Sequence, residues 1–323
     1  MLLNILNKTS FVPVVVLTGS LLSGCASLGG GNSASDPEGT LAARLIQPER
    51  AQKETQQALQ TGDLALQAER YLEAETLYRR ALELQPDNVH ARFGMGEVFL
   101  ATDRASKALG VFNGLIPDEE LGARALQGSG LASLAIRDLE QARVQLEKAT
   151  AMDANLWRAW NGLGIVYDAA QEFAMAGKAY EMAIAVNPGN GVLHNNFGMS
   201  LMSQGEYVQA EQQFIMALRQ NSGLQIAETN LRFALAWQGR YLDALSGLKE
   251  EQWPEALNNV GFIALQREDL VQAEAYLIRA IELSPSFHTA AHRNLRTLHE
   301  TYPDFRGGSD RAMVYPATQP RPQ

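Results

Sequence analysis

Cysteine is almost absent from this chain: Cys25 is the single one among 323 residues. An intramolecular disulfide is therefore excluded, and so is a thiolate-rich metal site. Positive charge is also short. Lys and Arg number 27 against 36 Asp and Glu, a formal net charge of −9. No basic stripe interrupts that balance, so the chain lacks the electrostatic footprint of a nucleic-acid binder. It equally lacks the charge for docking on anionic lipid. No apolar run reaches the roughly 18 residues that a membrane-spanning helix needs.

Familiar chemical motifs are missing as well. There is no Gly-x-Ser-x-Gly nucleophile turn and no phosphate-binding Gly-rich loop. His288 and His292 stand one helical turn apart and would share a face, with His299 further on. Thr289 occupies the place where a zinc-protease helix carries glutamate. These histidines read as solvated side chains on a surface helix, and the acidic pairs Glu119-Glu120 and Glu250-Glu251 as solvated turns. Nothing brings a nucleophile to a base. The expectation is a protein that is not an enzyme, with no catalytic residue, metal or cofactor.

What is present begins with an address. An apolar run from Phe11 to Leu22 follows a leader whose one cation is Lys8. Its length fits the core of a signal peptide. The run closes on Leu22-Ser23-Gly24-Cys25, which resembles the bacterial lipobox. That resemblance implies a signal peptide over 1–24 and lipidation of Cys25, hence a membrane anchor and not a membrane span. Ala26, where an aspartate would hold an enterobacterial lipoprotein in the inner membrane, resembles an outer-membrane address. Residues 25–48 include Gly29-Gly30-Gly31-Asn32-Ser33 and read as the lipidated cysteine with a flexible tether.

The body of the chain repeats. Trp160, Leu163, Gly164, Tyr167, Ala176, Tyr180, Ala183 and Pro188 form one unit. Its small residues permit two helices to cross closely, its large ones fill the space between them, and Pro188 ends the second helix. The pattern recurs at a period of 34 residues: Gly62, Ala74 and Tyr78; Gly96, Ala108 and Phe112; Gly130, Ala142 and Leu146; Gly198, Ala210 and Phe214; then Ala244 and Leu248; then Gly261, Ala273 and Leu277. These residues resemble the tetratricopeptide (TPR) signature. The resemblance implies an all-α superhelical solenoid over 49–301 of about seven helix-turn-helix repeats plus a C-terminal capping helix, followed by a disordered tail over 302–323. Units begin near 55, 89, 123, 157, 191, 225 and 254. The sixth is about five residues short and carries Arg232 where a small residue is usual, so its second helix is expected to end early, near Lys249 to Pro254.

In this family ligands are met mostly by the first helix of each pair. The implied partner-binding groove comprises Asn161, Ile165, Asn195, Met199, Met202, Phe233, Trp237, Asn258 and Phe262. Apolar side chains with amides suit an apolar or amphipathic protein segment whose backbone the amides would bond. The amides have a second reading, as local bonds between neighbouring repeats, and the methionines one as core. A basic clamp for a terminal carboxylate is not evident. One tandem is more specific: Asn195-Asn196-Phe197-Gly198 and Gly205-Glu206-Tyr207, then Asn230-Leu231, Gln238-Gly239-Arg240-Tyr241 and Ala244. It resembles the TPR lipoproteins of the tight-adherence (Tad, or Flp) pilus, the TadD group, although Phe197 and Arg232 depart from that pattern. The resemblance implies a scaffold for pilus assembly that places or stabilises the secretin or binds other Tad components. A type IV pilus pilotin and an NlpI-like adaptor for peptidoglycan hydrolases or proteases remain alternatives.

Overall fold

The computed structural model describes residues 48–284 and 289–305. Cys25, the tether, His288 and the tail beyond 305 lie outside the described residues. The chain divides into two compact units after Val98.

The first unit contains α1 (Pro48–Gln67), α2 (Tyr71–Leu84) and most of α3 (Val89–Ala101). The first of these, α1, runs unbroken from Pro48. Tyr78 is the centre of this unit. It is fully buried, and its hydroxyl donates to Asp63 Oδ1 at 2.6 Å. A Cβ on Gly94 would come within 2.4 Å of the Tyr78 ring, so that helix approaches only because glycine stands there.

The second unit holds the rest of the array. Its helices are α4 (Ala105–Asn113), α5 (Gly122–Ala135), α6 (Leu139–Met152), α7 (Trp157–Ala169), α8 (Phe173–Val186), α9 (Gly191–Ser203), α10 (Tyr207–Gln220), α11 (Gln225–Trp237), α12 (Tyr241–Ala244), α13 (Trp253–Gln266), α14 (Leu270–Leu283) and α15 (Thr289–Thr301). No strand occurs among the described residues. The first helices α5, α7, α9, α11 and α13, and finally α15, each touch the next, while α6, α8, α10 and α14 pack between first helices. Tyr302 and Phe305, expected to belong to a disordered tail, instead pack on the core under α15.

One backbone feature confirms the register. The turn between the two helices of each pair holds a residue of positive φ: Glu69, Asp103, Arg137, Gln171, Gly205, Gly239 and Glu268. Six of these lie 34 residues apart, and the last follows its predecessor by 29. The packing repeats on the same frame. A Cβ on Gly130, Gly164, Gly198 or Gly261 would meet Leu146, Tyr180, Phe214 or Leu277 at 2.5 to 2.8 Å. The alanines of the second helices, Ala142, Ala176, Ala210 and Ala273, are fully buried.

The sixth pair breaks the frame in a compensated way. Its second helix, α12, has only 4 residues and stops earlier than expected, at Ala244. Arg232 stands where the other pairs have glycine. Its guanidinium donates to Ala244 O at 2.8 Å and to Ser246 O at 2.7 Å, and it is held by Glu228 at 2.8 Å. A full second helix would bring a large side chain against this position. The arginine instead satisfies carbonyls that the shortened helix leaves open. Gly247, at φ 68, turns the chain away, and Leu248 and Trp253 fill the remaining core space.

Candidate protein-interaction surface

The first helices of the second unit carry two parallel rows, separated by about one turn. The inner row is polar. Asn196 Nδ2 donates to Asn161 Oδ1 at 3.0 Å, and Asn230 Nδ2 to Asn195 Oδ1 at 2.9 Å. Asn195 in turn reaches Asn196 at 3.4 Å. The result is an amide ladder across α7, α9 and α11. A second piece joins α13 to α15, where Asn294 donates to Asn258 Oδ1 at 3.0 Å. Gln127 on α5 accepts the backbone N–H of Ala159 at 3.1 Å. The ladder is interrupted between α11 and α13. There Thr229 holds the position that asparagine fills elsewhere, and its hydroxyl bonds Gln225 O within its own helix.

The outer row is apolar. It consists of Leu131, Ile165, Met199, Phe233 and Phe262, one from each first helix, all partly exposed. Ile165 is 38% exposed. Met199 and Met202 lean on the core around Phe214, and Phe233, Trp237 and Phe262 on the core around Leu257 and Leu277. Trp237 also stacks on Tyr207, with ring centroids 5.3 Å apart and planes at 12°.

The residues named from sequence therefore fall into two groups. Ile165, Met199, Met202, Phe233, Trp237 and Phe262 share the accessible face. Asn195 and Asn258 are buried, at 7% and 8% exposure, and bond neighbouring amides. Asn161 is half-buried and accepts from Asn196. Sequence reasoning missed Leu131, although it precedes Ile165 by one full repeat and completes the row.

The tandem that carries the Tad resemblance is engaged internally. Glu211 accepts from Gln238 at 2.8 Å and from Arg240 at 2.9 Å, which ties α10 to the following turn. Gly239 at φ 80 lies 3.1 Å, at its Cβ position, from the Arg267 guanidinium. Arg267 donates to the Trp237 carbonyl, and the Tyr241 hydroxyl to Asp269. Burial, then the bond to Asp269, pushes the Tyr241 hydroxyl up to about 12.

One acid inside the array is also perturbed. Asp168 accepts from Ser200 at 2.7 Å and from Tyr180 at 2.8 Å. Burial raises its carboxyl above the ordinary aspartate range, and these two bonds oppose the shift. Its two partners lie on the next two helices, so the carboxyl ties α7 to α8 and α9. Among the described residues no group of three His, Cys, Asp or Glu side chains is placed to hold a metal ion. None of the described helices is long and apolar enough to cross a membrane.

Residues 59–123 and 128–191 match the family model for the tetratricopeptide repeat. With the helix pairs and their turns on the same frame, the fold is decided. The chain folds as a tetratricopeptide-repeat array. Similar solved structures include PilF of Pseudomonas aeruginosa, at 18% identity over 76% of this chain and 98% of that one, TM-score 0.48. A TPR protein of Thermus thermophilus shows 22% identity over 59% and 98%, TM-score 0.49. YrrB, described as a TPR protein with an unusual peptide-binding site, shows 16% over 53% and 88%, TM-score 0.39. No curated relative matches the sequence.

Proposed function

We propose that this protein is a binding scaffold, anchored through lipidated Cys25 at the periplasmic face of the outer membrane, that holds a protein segment on the first-helix face of its repeats. The observation that carries the binding role is the outer row. Leu131, Ile165, Met199, Phe233 and Phe262, on five successive first helices, stay partly exposed, with Leu131, Met199, Phe233 and Phe262 packing against the cores beneath them. Exposed apolar surface beside polar residues is a mark of interaction sites. The anchor rests on the Leu22-Ser23-Gly24-Cys25 sequence, and the pilus assignment on the Asn195–Ala244 tandem. On that reading the partner is the secretin of a Tad-type pilus or another component of its assembly.

An affinity pull-down of the protein with Cys25→Ser from extracts of cells that make it, followed by mass spectrometry, tests this. Pilus components are the expected catch, lost when Phe233 and Phe262 are both replaced by serine. Peptidoglycan hydrolases or proteases in their place would move the scaffold to envelope remodelling. Labelling with a radioactive fatty acid tests the anchor, and incorporation that persists in Cys25→Ser would refute it.

A further inference from the structure

The sixth pair is tied to the seventh in a different way from the pairs before it. We propose that this is the joint of the array. The seventh pair with α15, residues 253–301, slides as one body against the helices up to α11, and Arg267 is the latch that holds the closed position.

Earlier in the second unit two kinds of contact fix each first helix to the next. A second helix of 14 residues packs between them, as α6, α8 and α10 do. Directional bonds then set the register. The Ala159 N–H reaches Gln127, Asn196 reaches Asn161, Ser200 reaches Asp168 and Asn230 reaches Asn195. Between α11 and α13 both kinds are reduced. The intervening helix α12 has only 4 residues. Among the described residues no side-chain hydrogen bond runs from α11 to α13, and Thr229 is turned to its own helix. Beyond the joint the frame resumes. Asn294 bonds Asn258, and α14, again of 14 residues, packs on α13 and α15. The part that moves is therefore braced within itself.

What crosses the joint is mostly apolar. Leu235, Tyr241 and Leu245 share one core with Leu257 and Leu277. The Tyr241 ring meets Tyr276 edge-on, with centroids 5.7 Å apart. Apolar attraction is non-directional. It holds two bodies together without fixing their register, which is the condition for shear between packed helices. The connection supplies the slack: residues 249–252 are exposed, and Gly247 turns at φ 68.

Directional bonds cross at one place. Arg267, just after α13, donates to the Trp237 carbonyl at the end of α11 and to the Tyr241 hydroxyl at 3.1 Å. That hydroxyl donates to Asp269, whose carboxylate also takes the Arg267 guanidinium at 3.1 Å. The Arg267 and Asp269 side chains are 31% and 37% exposed. Water replaces such bonds at small cost, so the latch is releasable where a buried amide ladder is not. The joint does not depend on what the outer row binds.

The test is pulsed electron paramagnetic resonance on the whole protein with Cys25→Ser and pairs of spin labels on introduced cysteines. One pair, at Val208 and Val271, spans the joint, and both sites are exposed, at 56% and 45%. The control pair, at Leu139 and Val208, spans two complete repeats. The expected result is a second, minor distance for the pair across the joint and a single distance for the control. Arg267→Gln should raise the ratio of the second distance to the first by about tenfold, as the loss of a charged donor implies, and leave the control unchanged. Tyr241→Phe, which keeps the ring and removes only the hydroxyl, should shift the same population in the same direction. A single distance across the joint that both variants leave unchanged would overturn the proposal. Equal broadening of both pairs would show that the array yields along its whole length, and would overturn it as well.

Discussion

Replacing Arg232 by glycine restores the residue that the other repeats carry, and a comparison of repeats alone would predict a gain in stability. The structure predicts a loss. Arg232 donates to two main-chain carbonyls, Ala244 O and Ser246 O, and its side chain is only 18% exposed. Hydrogen bonds from a charged donor contribute about 1.5–3 kcal/mol each in favourable settings, and water recovers part of that when the acceptors reach the surface. A glycine inside α11 costs about 1 kcal/mol more. The expected destabilisation is therefore about 2–4 kcal/mol, local to the sixth pair. Repeat arrays open in parts, so the assay is amide hydrogen exchange over residues 225–260, with urea unfolding as a global check. Exchange should accelerate there and stay unchanged over α7 and α8. Arg232→Gly with protection equal to or above the parent would refute the reasoning. A companion variant lengthens the segment after Ala244 by five helix-forming residues to restore the 34-residue period. Glycine at 232 should be tolerated in that background, because a full second helix then covers it.

Three further perturbations test the array. Asn195→Leu breaks the ladder on both sides, leaving the Asn230 amide without its acceptor. It should cost about 1–3 kcal/mol, read as a lower urea midpoint, and an unchanged midpoint would show that the ladder contributes nothing. Gly239→Ala places a Cβ at positive φ and 3.1 Å from Arg267. It should destabilise by about 1–2 kcal/mol, whereas the same change at Gly189, where nothing lies within 4 Å, should be nearly silent. Asp168 has a raised pKa, so the folded state holds its proton more tightly than the unfolded chain. Stability from this residue is fully present below the ordinary value of 3.8 and is lost as pH rises to the raised folded value. Urea midpoints of parent and Asp168→Asn should therefore diverge in the parent's favour as pH falls through that window, and parallel curves would contradict the assignment.

The repeats were legible in sequence because their determinants are local and periodic. A glycine must face a large side chain, an alanine must sit at each helix crossing, and both recur at fixed spacing. The shortened pair was legible for the same reason, through a missing five residues and an arginine out of place. Its true end at Ala244 was not, because that depends on where the Arg232 guanidinium finds carbonyls. The face was half legible. Ile165, Met199, Phe233 and Phe262 are where helical spacing puts them. Asparagines one turn away could not be divided between ladder and surface, because an amide suits both. Burial by the neighbouring helix decides, and no single helix records it. The Tad-like tandem shows the same limit, since Gln238, Arg240 and Glu211 form a buckle between repeats and need no ligand to account for them.

The gap in the ladder at Thr229 offers a test of how the shortened pair was accommodated. In complete repeats the asparagine at this position pairs with one 35 residues later, as Asn161 with Asn196 and Asn195 with Asn230. From Thr229 the equivalent residue is Asn259, only 30 residues away because the sixth pair is short. If α11 and α13 keep the stagger of the other first helices, the deletion is absorbed entirely in the second helix and its loop. Thr229→Asn should then close the ladder and add about 1 kcal/mol, seen as slower exchange in both α11 and α13. The positive-φ turns support this, since Gly239 and Glu268 each end their first helix in the same way despite the short interval between them. A destabilised Thr229→Asn would mean that α13 is displaced along its axis. The apolar row would then be broken between Phe233 and Phe262.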